Sequence, residues 1–369
     1  MTSLTGYWDD SFLDHAAPAG EAEQPWTGRL AVREPHPDRP ERLRNVRHIL
    51  DEELPGGVDW RPVEPVSDET LHRVHDPDYV ERFEAFCASG GGRLVGATGA
   101  NRDSYRAAHH AAGAAVAAAE HAIDGDESAL PYACVRPSGH HAQADRADGF
   151  CFFNNAAIAA ESALADGDID RVAIVDWDVH HGNGTQAVFE DRDDVLTLSI
   201  HNPHGSWHPE SHPQTGDVEE HGTAAGVGYN VNVPVPPGTG DEGYLDVFER
   251  LVEPVVEEFE PDLVVVAAGG DAGTVDPLGR NVVTKAGFEA LGSRARSLAE
   301  RTSDGRLVVV QEGGYHLSHL GYAMLGTFEG LLGVESSVRD RFALYEGDTA
   351  SAVERTSTVV DHYATWWAL

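Results

Sequence analysis

The segment RVAIVDWDVHHGNGTQAV, at 171–188, constrains the fold of this chain more than any other stretch. Its Val172–Val175 run is apolar and mostly β-branched, which is the composition of a strand buried on both faces. Because side chains alternate along an extended chain, Asp176, Asp178 and His180 point to the same side where the strand ends. Unpaired charges next to a buried strand are costly. The segment therefore predicts a divalent-cation site at the end of a buried strand, in preference to a solvated acidic turn.

Other apolar runs have the same character, since each is followed by polar or glycine-rich residues. Helical patterns alternate with these runs, which predicts an α/β fold with a mostly parallel sheet and helices on both faces. In such sheets, functional sites lie beyond the carboxyl ends of the strands. We therefore expect the strand ends to meet at one site. The predicted strands are Tyr132–Val135, Val172–Val175, Val195–Ile200, Leu263–Ala268 and Leu307–Val310.

The rest of the chain is predicted as helices and loops. Residues 1–35 are rich in Gly, Pro and acidic residues, and they predict an irregular N-terminal segment. Apolar residues at helical spacing predict helices within 36–54 and 67–86. Gly90–Gly99 predicts a glycine-rich loop, and Asp103–Ile123 predicts a long alanine-rich helix.

Asp178 and His180 supply two metal ligands, and a third is expected from another strand end. Asp271 is the candidate, because a Gly-Gly pair separates it from the predicted strand Leu263–Ala268; alone, it would equally well be a loop-capping residue. Two aspartates and one histidine neutralise a dication and leave a fourth position for water or substrate, as catalytic zinc requires. Such a metal polarises a carbonyl and lowers the pKa of its water towards about 7. We expect one metal per chain, zinc or ferrous iron.

Two adjacent histidines, His140 and His141, form the expected acid/base pair. An imidazole held by a carboxylate stays protonated, whereas a neutral imidazole can take a proton from water. Asp176 is the expected partner of His140, and Asn183 is the expected partner of His141. Because Asn183 is uncharged, it orients an imidazole without raising its pKa as a carboxylate would.

Tyr315 is the expected oxyanion donor. It follows Glu312-Gly-Gly, a turn that can direct a phenol towards the strand ends. There the hydroxyl would donate a hydrogen bond to the oxyanion that forms when water attacks a carbonyl. A tyrosine buried in the core is the alternative interpretation.

Four segments together resemble the zinc-dependent histone deacetylase family, closest to its class II branch. They are RPSGHHAQADRADGFCFFNNAAIAA at 136–160, VDWDVHHGNGTQAVF at 175–189, GGDAGTVDPLG at 269–279 and EGGYHL at 312–317. The resemblance implies a single deacetylase domain over 1–369 with the arginase/deacetylase fold. It implies hydrolysis of acetyl-lysine or a similar N-acetyl amide by a metal-activated water. The family's zinc ligands, tandem histidines and oxyanion tyrosine fall on Asp178, His180, Asp271, His140, His141 and Tyr315.

The same resemblance implies a tunnel for the acyl-lysine side chain. The aromatic wall of the family's tunnel falls on Phe150, and Gly149 offers a backbone carbonyl to the substrate. Leu278 falls on the tunnel rim, and Arg42 on the arginine near the acetate exit channel. The opposite wall corresponds to Trp207-His208-Pro209, where the family usually has two aromatic residues before the proline. Whether Trp207 or His208 faces the substrate stays open.

Members of this family also bind monovalent cations, which implies two structural potassium sites here. Both would be filled in a potassium-rich cytosol, and the first lies directly behind the metal-binding strand, largely through backbone carbonyls. The first set is Asp176, Asp178, His180, Ser199 and Ile200, and the second is Phe189, Arg192, Val195 and Tyr229.

Several alternatives stay open. A binuclear hydrolase of the related arginase fold needs bridging carboxylates where this chain has Gly182 and Gly273. A deacetylase of acetylpolyamines or other small N-acetyl amides would share the same catalytic residues. A non-catalytic acyl-lysine-binding module would lack a metal ligand or Tyr315, and all of these are present. A second metal could also be bound by His204, His208 and His212.

The chain is strongly acidic, with 26 basic against 62 acidic residues and a formal charge of −36 at pH 7. Lys285 is its only lysine. In molar salt the Debye length falls to about 3 Å, so repulsion between surface charges is largely screened. This composition resembles that of proteins from extreme halophiles and predicts a requirement for salt. Direct nucleic-acid binding is not expected, because the sequence contains no basic patch.

The expected compartment is the cytoplasm. No apolar run is long enough to span a membrane, and the acidic N-terminus lacks the features of a signal peptide. The three cysteines show no spacing that indicates a disulfide framework. We therefore expect an acetylated protein or small molecule as the substrate and no membrane partner, while the sequence does not indicate an oligomeric state.

Overall fold

The computed structural model describes residues 3–17, 31–32, 35–124, 129–165, 167–203 and 214–369. The strands within these ranges are β1 (Ser3–Trp8), β2 (Val58–Pro62), β3 (Gly92–Val95), β4 (Thr98–Ala100), β5 (Ala129–Ala133), β6 (Val172–Asp176), β7 (Val195–His201), β8 (Asn230–Pro234), β9 (Leu263–Ala268) and β10 (Leu307–Gln311). The α-helices are α1 (Glu41–Glu53), α2 (Asp68–Leu71), α3 (Pro77–Ala88), α4 (Ser104–Ile123), α5 (Asn155–Leu164), α6 (Asn183–Phe189), α7 (Asp241–Val247), α8 (Glu253–Phe259), α9 (Lys285–Thr302), α10 (His319–Leu332) and α11 (Thr349–Tyr363). A π-helical turn joins α7 to α8, and short 3-10 turns lie at Asp10–Leu13 and Ala224–Gly226.

Eight strands form one sheet in the order β2-β1-β5-β10-β9-β6-β7-β8. All of its described pairings are parallel. The central strands β6, β9 and β10 are buried along their whole length. Their sequences are nearly continuous runs of Val, Ile, Leu and Ala, as expected for strands covered on both faces. The α/β fold with a parallel sheet, predicted from the sequence, is therefore confirmed.

Two groups of helices flank the sheet. The alanine-rich α4 packs against α5 and contacts β1, β5, β9 and β10, whereas α9 packs along α10, which in turn contacts α1. Glycines permit the close approach of α9 and α10, since a side chain at Gly292 or Gly330 would collide with backbone of the facing helix. No helix within the described ranges combines the length and the apolar composition that a membrane crossing requires.

The N-terminal segment corrects one prediction. Residues 3–8 are not irregular but form β1, which lies inside the sheet between β2 and β5. Gly6 lies beside the ring of Trp60 on β2, so a side chain at position 6 would collide with that ring. The acidic, glycine-containing sequence around β1 does not indicate a strand. β1 is stabilised by pairing with strands about 50 and 125 residues away in the chain.

Two further differences concern short strands. The segment predicted as a glycine-rich loop, Gly90–Gly99, contains most of the antiparallel hairpin β3-β4. The edge strands β2 and β8 were not predicted. Both contain polar residues or proline, which are tolerated in a strand that, like these two, has a neighbour on only one side among the described strands. The five predicted strands and the long alanine-rich helix begin and end within a few residues of their predicted bounds, whereas no bounds were predicted for the helices from α5 onward.

Candidate active site

The site lies at the carboxyl ends of neighbouring central strands. Asp176 is the last residue of β6, and it pairs with Ser199 on β7 and with Ala267 on β9. Asp178 follows β6 and Asp271 follows β9, so adjacent strands bring these carboxylates to the same edge of the sheet. The strand order thus explains the convergence that the sequence predicted.

Asp178, His180 and Asp271 form a compact group of possible metal ligands. One ligand atom of each lies within 4.8 Å of the others. Nδ1 of His180 lies 2.9 Å from Oδ1 of Asp178 and 3.0 Å from Oδ2 of Asp271. Both aspartates are completely buried. The structure therefore brings together the three residues that the sequence predicted as ligands.

This donor set fits a divalent cation. Burial and the nearby Asp178 carboxylate raise the pKa of Asp271 to about 7, because two ionised carboxylates are unfavourable at this buried position without a positive charge between them. The carboxylate oxygens that do not face His180 accept backbone N–H groups. Gly313 donates to Oδ2 of Asp178 and Val179 donates to Oδ1 of Asp271, each at 2.8 Å. A side chain at Gly313 would collide with both carboxylates. The glycine therefore leaves space for a site in which a cation balances two buried anions.

His140 and His141 differ in their hydrogen-bond partners. Nδ1 of His140 donates to Oδ2 of Asp176 at 2.8 Å, and Nδ1 of His141 donates to Oδ1 of Asn183 at 2.5 Å. The two ring centres are 4.0 Å apart. Burial opposes protonation of His140, but the carboxylates of Asp178 and Asp176 raise its pKa well above the ordinary value. Both predicted pairings are present in the geometry.

Asp148 and Glu312 contact the predicted site residues but were not predicted as part of the site. The amide nitrogen of Asn183 donates to Oδ2 of Asp148 at 3.3 Å, which leaves the amide oxygen of Asn183 facing His141. Glu312 is completely buried and accepts the backbone N–H groups of Gly139 at 2.8 Å and His140 at 3.3 Å. Both are acidic residues within the segments that resemble the family, and this could have suggested a role in the site. Their contacts could not be predicted, because their partners are distant in the chain.

An aromatic wall lies beside Tyr315. The ring of Phe150 is 5.6 Å from that of Tyr315 and 4.7 Å from that of His36. Gly149 and Phe150 have φ values of +50° and +69°, and the second is a strained conformation for an aromatic residue. The backbone N–H of Phe150 donates to the hydroxyl of Thr98, which supports this turn. The turn therefore presents Phe150 at the edge of the site.

The Tyr315 phenol is nearly buried, with 7% of the residue exposed. Burial, together with the carboxylates of Asp271 and Asp178, raises its pKa well above the ordinary value, so the hydroxyl stays protonated. The guanidinium of Arg42 lies over the Tyr315 ring at 5.4 Å from its centre. Arg42 also donates to the backbone carbonyl of Glu312 at 3.0 Å. The phenol is therefore available as a hydrogen-bond donor.

Two predicted wall residues, Trp207 and His208, lie outside the residues that the structure describes, as do His204 and His212. Leu278, predicted at the rim, is half-buried and donates its backbone N–H to Asp276 at 2.9 Å.

The positions implied for monovalent cations lie along β7 and its neighbours. Val195 is the first residue of β7, whereas Ser199 and Ile200 lie near its end. At the starting end, the carbonyl of Phe189 accepts the N–H of Arg192 at 3.0 Å, and the carbonyl of Tyr229 accepts the N–H of Thr197 at 2.9 Å. The two implied sets therefore lie at opposite ends of β7, and within the first set Asp176 pairs with Ser199.

Comparison with known proteins identifies the family. Residues 36–331 match the histone deacetylase domain family. Histone deacetylase 8 of Arabidopsis thaliana is 40% identical over 361 residues, covering 97% of this chain and 95% of that protein. A histone deacetylase-like amidohydrolase of Pseudomonas aeruginosa is 42% identical over 344 residues, covering 92% of this chain and 89% of that protein.

The fold leads to the same family. The crystal structure of the HDA15 HD domain has a TM-score of 0.85 and 34% identity to this chain, and the match covers 100% of this chain and 96% of that one. The matched region 36–331 contains the metal-ligand group, both histidines and Tyr315. The chain belongs to the histone deacetylase family.

Proposed function

We propose that this protein is a metal-dependent deacetylase that hydrolyses acetyl-lysine-type amides. The observation that carries the proposal is the convergence of Asp178, His180 and Asp271 with two histidines that have different partners. Family membership supports deacetylase activity, as do relatives named histone deacetylase, histone deacetylase-like amidohydrolase and, in Archaeoglobus fulgidus, probable deacetylase.

Asp178, His180 and Asp271 would hold the metal. Zinc is the proposed ion and ferrous iron the alternative, because both accept two carboxylates and an imidazole. When bound, the dication polarises the acyl carbonyl and lowers the pKa of water at the site.

The chain's own residues would move the protons. His141 donates through Nδ1 to the uncharged Asn183, which leaves its Nε2 as the nitrogen that would take a proton from the attacking water. His140, held in its protonated form by Asp176, would donate a proton to the departing amine. Tyr315 would donate to the oxyanion that develops on the former carbonyl. The products are acetate and the free amine.

The proposed substrate is an acetyl-lysine side chain on a protein or peptide. Phe150 offers an aromatic wall and Leu278 an apolar rim, which suit the methylene stem of a lysine. The second ammonium group of an acetylpolyamine would lose hydration at such a wall unless a counter-charge were present. Acetylpolyamines and other small N-acetyl amides are therefore the secondary candidates.

The packing around two glycines supports a single metal. A Cβ at Gly182 would lie 2.7 Å from a carboxylate oxygen of Asp176, and a Cβ at Gly273 would collide with the ring of His319. A bridging carboxylate would have to begin at these positions, and neither has space for it. All three ligands and Tyr315 are present, which supports an enzyme in preference to a binding module.

The remaining proposals concern bound potassium, the cellular compartment and nucleic acid. Potassium would bind through the carbonyls near Ser199 and near Tyr229, and the compartment would be the cytoplasm. The formal charge of −36 supports the proposal that the protein does not bind nucleic acid directly.

Substitution of the ligands tests this function. We expect Asp178→Ala, His180→Ala and Asp271→Ala each to abolish both metal retention and acetate release from an acetyl-lysine peptide. Metal per chain is measured by elemental analysis, which also distinguishes zinc from iron. Asp262→Asn is the matched control, because the Asp262 carboxylate accepts the backbone N–H groups of Asp170 and Arg171 at the other end of β6.

Two results would contradict the proposal. Two tightly bound transition metals per chain would exclude the mononuclear site. Full activity in a ligand variant that retains no metal would exclude metal dependence.

A further inference from the structure

Asp276 joins two loops of the site through a single carboxylate. It lies between the proposed ligand Asp271 and the proposed rim residue Leu278 in the chain. Its Oδ1 accepts the backbone N–H groups of Leu278 at 2.9 Å and Gly279 at 3.2 Å. Its Oδ2 accepts the backbone N–H groups of Tyr315 at 2.6 Å and His316 at 3.1 Å. One side chain therefore binds both the rim and the backbone that carries the phenol.

The loop that carries Tyr315 needs such a contact. The preceding Gly314 has a φ of +121°, a conformation that favours glycine, and Gly313 is also a glycine. At the base of the loops, the N–H of Gly270 donates to the carbonyl of Gly313 at 2.9 Å. Arg42 donates to the carbonyl of Gly314 at 3.4 Å, a long contact that restricts the direction of the next residue only weakly. The carboxylate of Asp276 provides a closer restraint, at 2.6 Å from the backbone nitrogen of Tyr315 itself.

The chemistry of this contact requires a carboxylate. An ionised carboxylate only accepts hydrogen bonds and offers about four lone-pair positions, which matches the four N–H donors. Its bonds to N–H groups are charge-assisted and stronger than those of a neutral acceptor. An asparagine would place its NH2 group where one carboxylate oxygen now accepts two backbone N–H groups. It would therefore lose about half of the four hydrogen bonds.

We propose that Asp276 is a positioning residue that sets the Tyr315 phenol and the Leu278 rim relative to the metal ligands. The inference rests on the proposed role of Tyr315 as the oxyanion donor. Asp276 acts through the backbone of Tyr315 and does not itself touch the reacting atoms. A displacement of a catalytic group by about 1 Å can cost about 100-fold in rate, so a loose Tyr315 loop should lower kcat.

A double-mutant cycle with Asp276→Asn and Tyr315→Phe tests this inference. We expect Tyr315→Phe to lower kcat about 100- to 1,000-fold and Asp276→Asn to lower it about 10- to 100-fold. The double variant should be no slower than Tyr315→Phe alone, because a misplaced phenol cannot matter once its hydroxyl is absent. The measurements are kcat and KM for an acetyl-lysine peptide, metal content and the thermal midpoint.

Asp262→Asn is the matched control, since it removes a carboxylate that also binds two backbone N–H groups, far from the site. It should lower the free energy of unfolding and leave kcat unchanged. Combined with Tyr315→Phe, it should therefore give the same kcat as Tyr315→Phe alone and the sum of the two losses in stability. Hydrogen exchange on the unmodified chain gives a second test that needs no folded variant. The amides of Leu278, Gly279, Tyr315 and His316 should all be protected and should lose protection together.

The outcomes separate the two proposals. If Tyr315→Phe keeps the full kcat, the proposed role of Tyr315 fails and the positioning role fails with it. If Tyr315→Phe is slow but Asp276→Asn keeps the full kcat, or if the two losses simply multiply, only the positioning role fails. Rapid exchange of the four amides would also overturn it.

Discussion

Two adjacent histidines in this site differ mainly in the side chains that contact them. His140 is bonded to a carboxylate that favours its protonated form, whereas His141 is bonded to an amide whose orientation is set by Asp148. Identical residue types can thus take the acid and the base role side by side.

We expect substrate preference to depend on Leu278, the proposed rim residue. We predict a higher kcat/KM for acetyl-lysine peptides than for acetylspermidine or acetylputrescine, because an apolar rim offers no counter-charge to a second ammonium group. Leu278→Glu should shift the ratio towards the polyamine by about 2- to 10-fold. Leu278→Gln is the control of equal size without charge. The comparison is made in molar potassium chloride, and a preference of the unmodified protein for the polyamine would refute this prediction.

His75 predicts a pH dependence of stability. It is buried, its Nδ1 donates to the carbonyl of Gln143 at 2.9 Å, and its Nε2 accepts the N–H of Asn154 at 2.9 Å. Burial lowers its pKa to about 4. The unfolded chain therefore binds a proton below about pH 6.5 that the folded chain binds only near pH 4, and folding weakens as the pH falls through this window.

The measurement compares the original chain with His75→Gln, which cannot take up this proton. Urea unfolding from pH 7 to pH 4 should show the stability advantage of histidine shrinking by about 3 kcal/mol. A constant difference between the two chains would show that His75 does not contribute to the acid sensitivity.

Between the elements, buried ion pairs connect the N-terminal region to the loop that carries the histidines. Asp38 accepts hydrogen bonds from Arg42 on α1 at 2.8 Å and from Arg136, just after β5, at 3.0 Å. Arg136 also donates to the carbonyls of Phe12 and His15. Burial opposes ionisation of Asp38, but the two guanidinium groups lower its pKa well below the ordinary value. One carboxylate therefore joins the segment around Asp38 to α1 and to the segment that follows β5.

Asp38→Ala should destabilise the protein by about 3–5 kcal/mol, because it leaves two buried guanidinium groups without their counter-charge. Asp59→Ala is the control, since Asp59 pairs with Arg61 at the surface with 63% of its side chain exposed. Loss of an exposed pair should cost about 0–1 kcal/mol. Urea unfolding measures both variants, and equal losses would contradict the importance of the buried pair.

Across the whole molecule, the formal charge of −36 opposes compaction unless salt screens it. Exposed pairs such as Arg301 with Glu257, at 2.8 Å, offset only a small part of this repulsion. Salt should therefore act on folding as a whole, while potassium should act at specific carbonyls near Ser199.

We predict that the free energy of unfolding and the activity both rise with salt up to about 1 M, where the Debye length is about 3 Å. At equal ionic strength, potassium chloride should support more activity than sodium chloride. Unfolding curves and kcat across both salt series measure the two effects separately. Full stability and activity in dilute, potassium-free buffer would contradict both.

Features encoded by neighbouring residues could be predicted from the sequence. The Asp-x-His motif after Val172–Val175, the buried strand Leu263–Ala268 and the helix that begins at Pro77 all follow from local periodicity or composition. The strand ends also predicted that Asp271 would join Asp178, because parallel strands present their carboxyl ends at one edge.

Tertiary structure decided the features whose partners lie far away in the chain. β1 is a strand because β2 and β5 flank it, and its acidic, glycine-containing neighbourhood gives no local signal for that pairing. Asp148, Asp276 and Glu312 resemble ordinary loop acids until their carboxylates meet donors from other segments. Backbone conformation depends mostly on nearby residues, whereas the contacts of a carboxylate depend on which distant N–H groups the fold brings within about 3 Å.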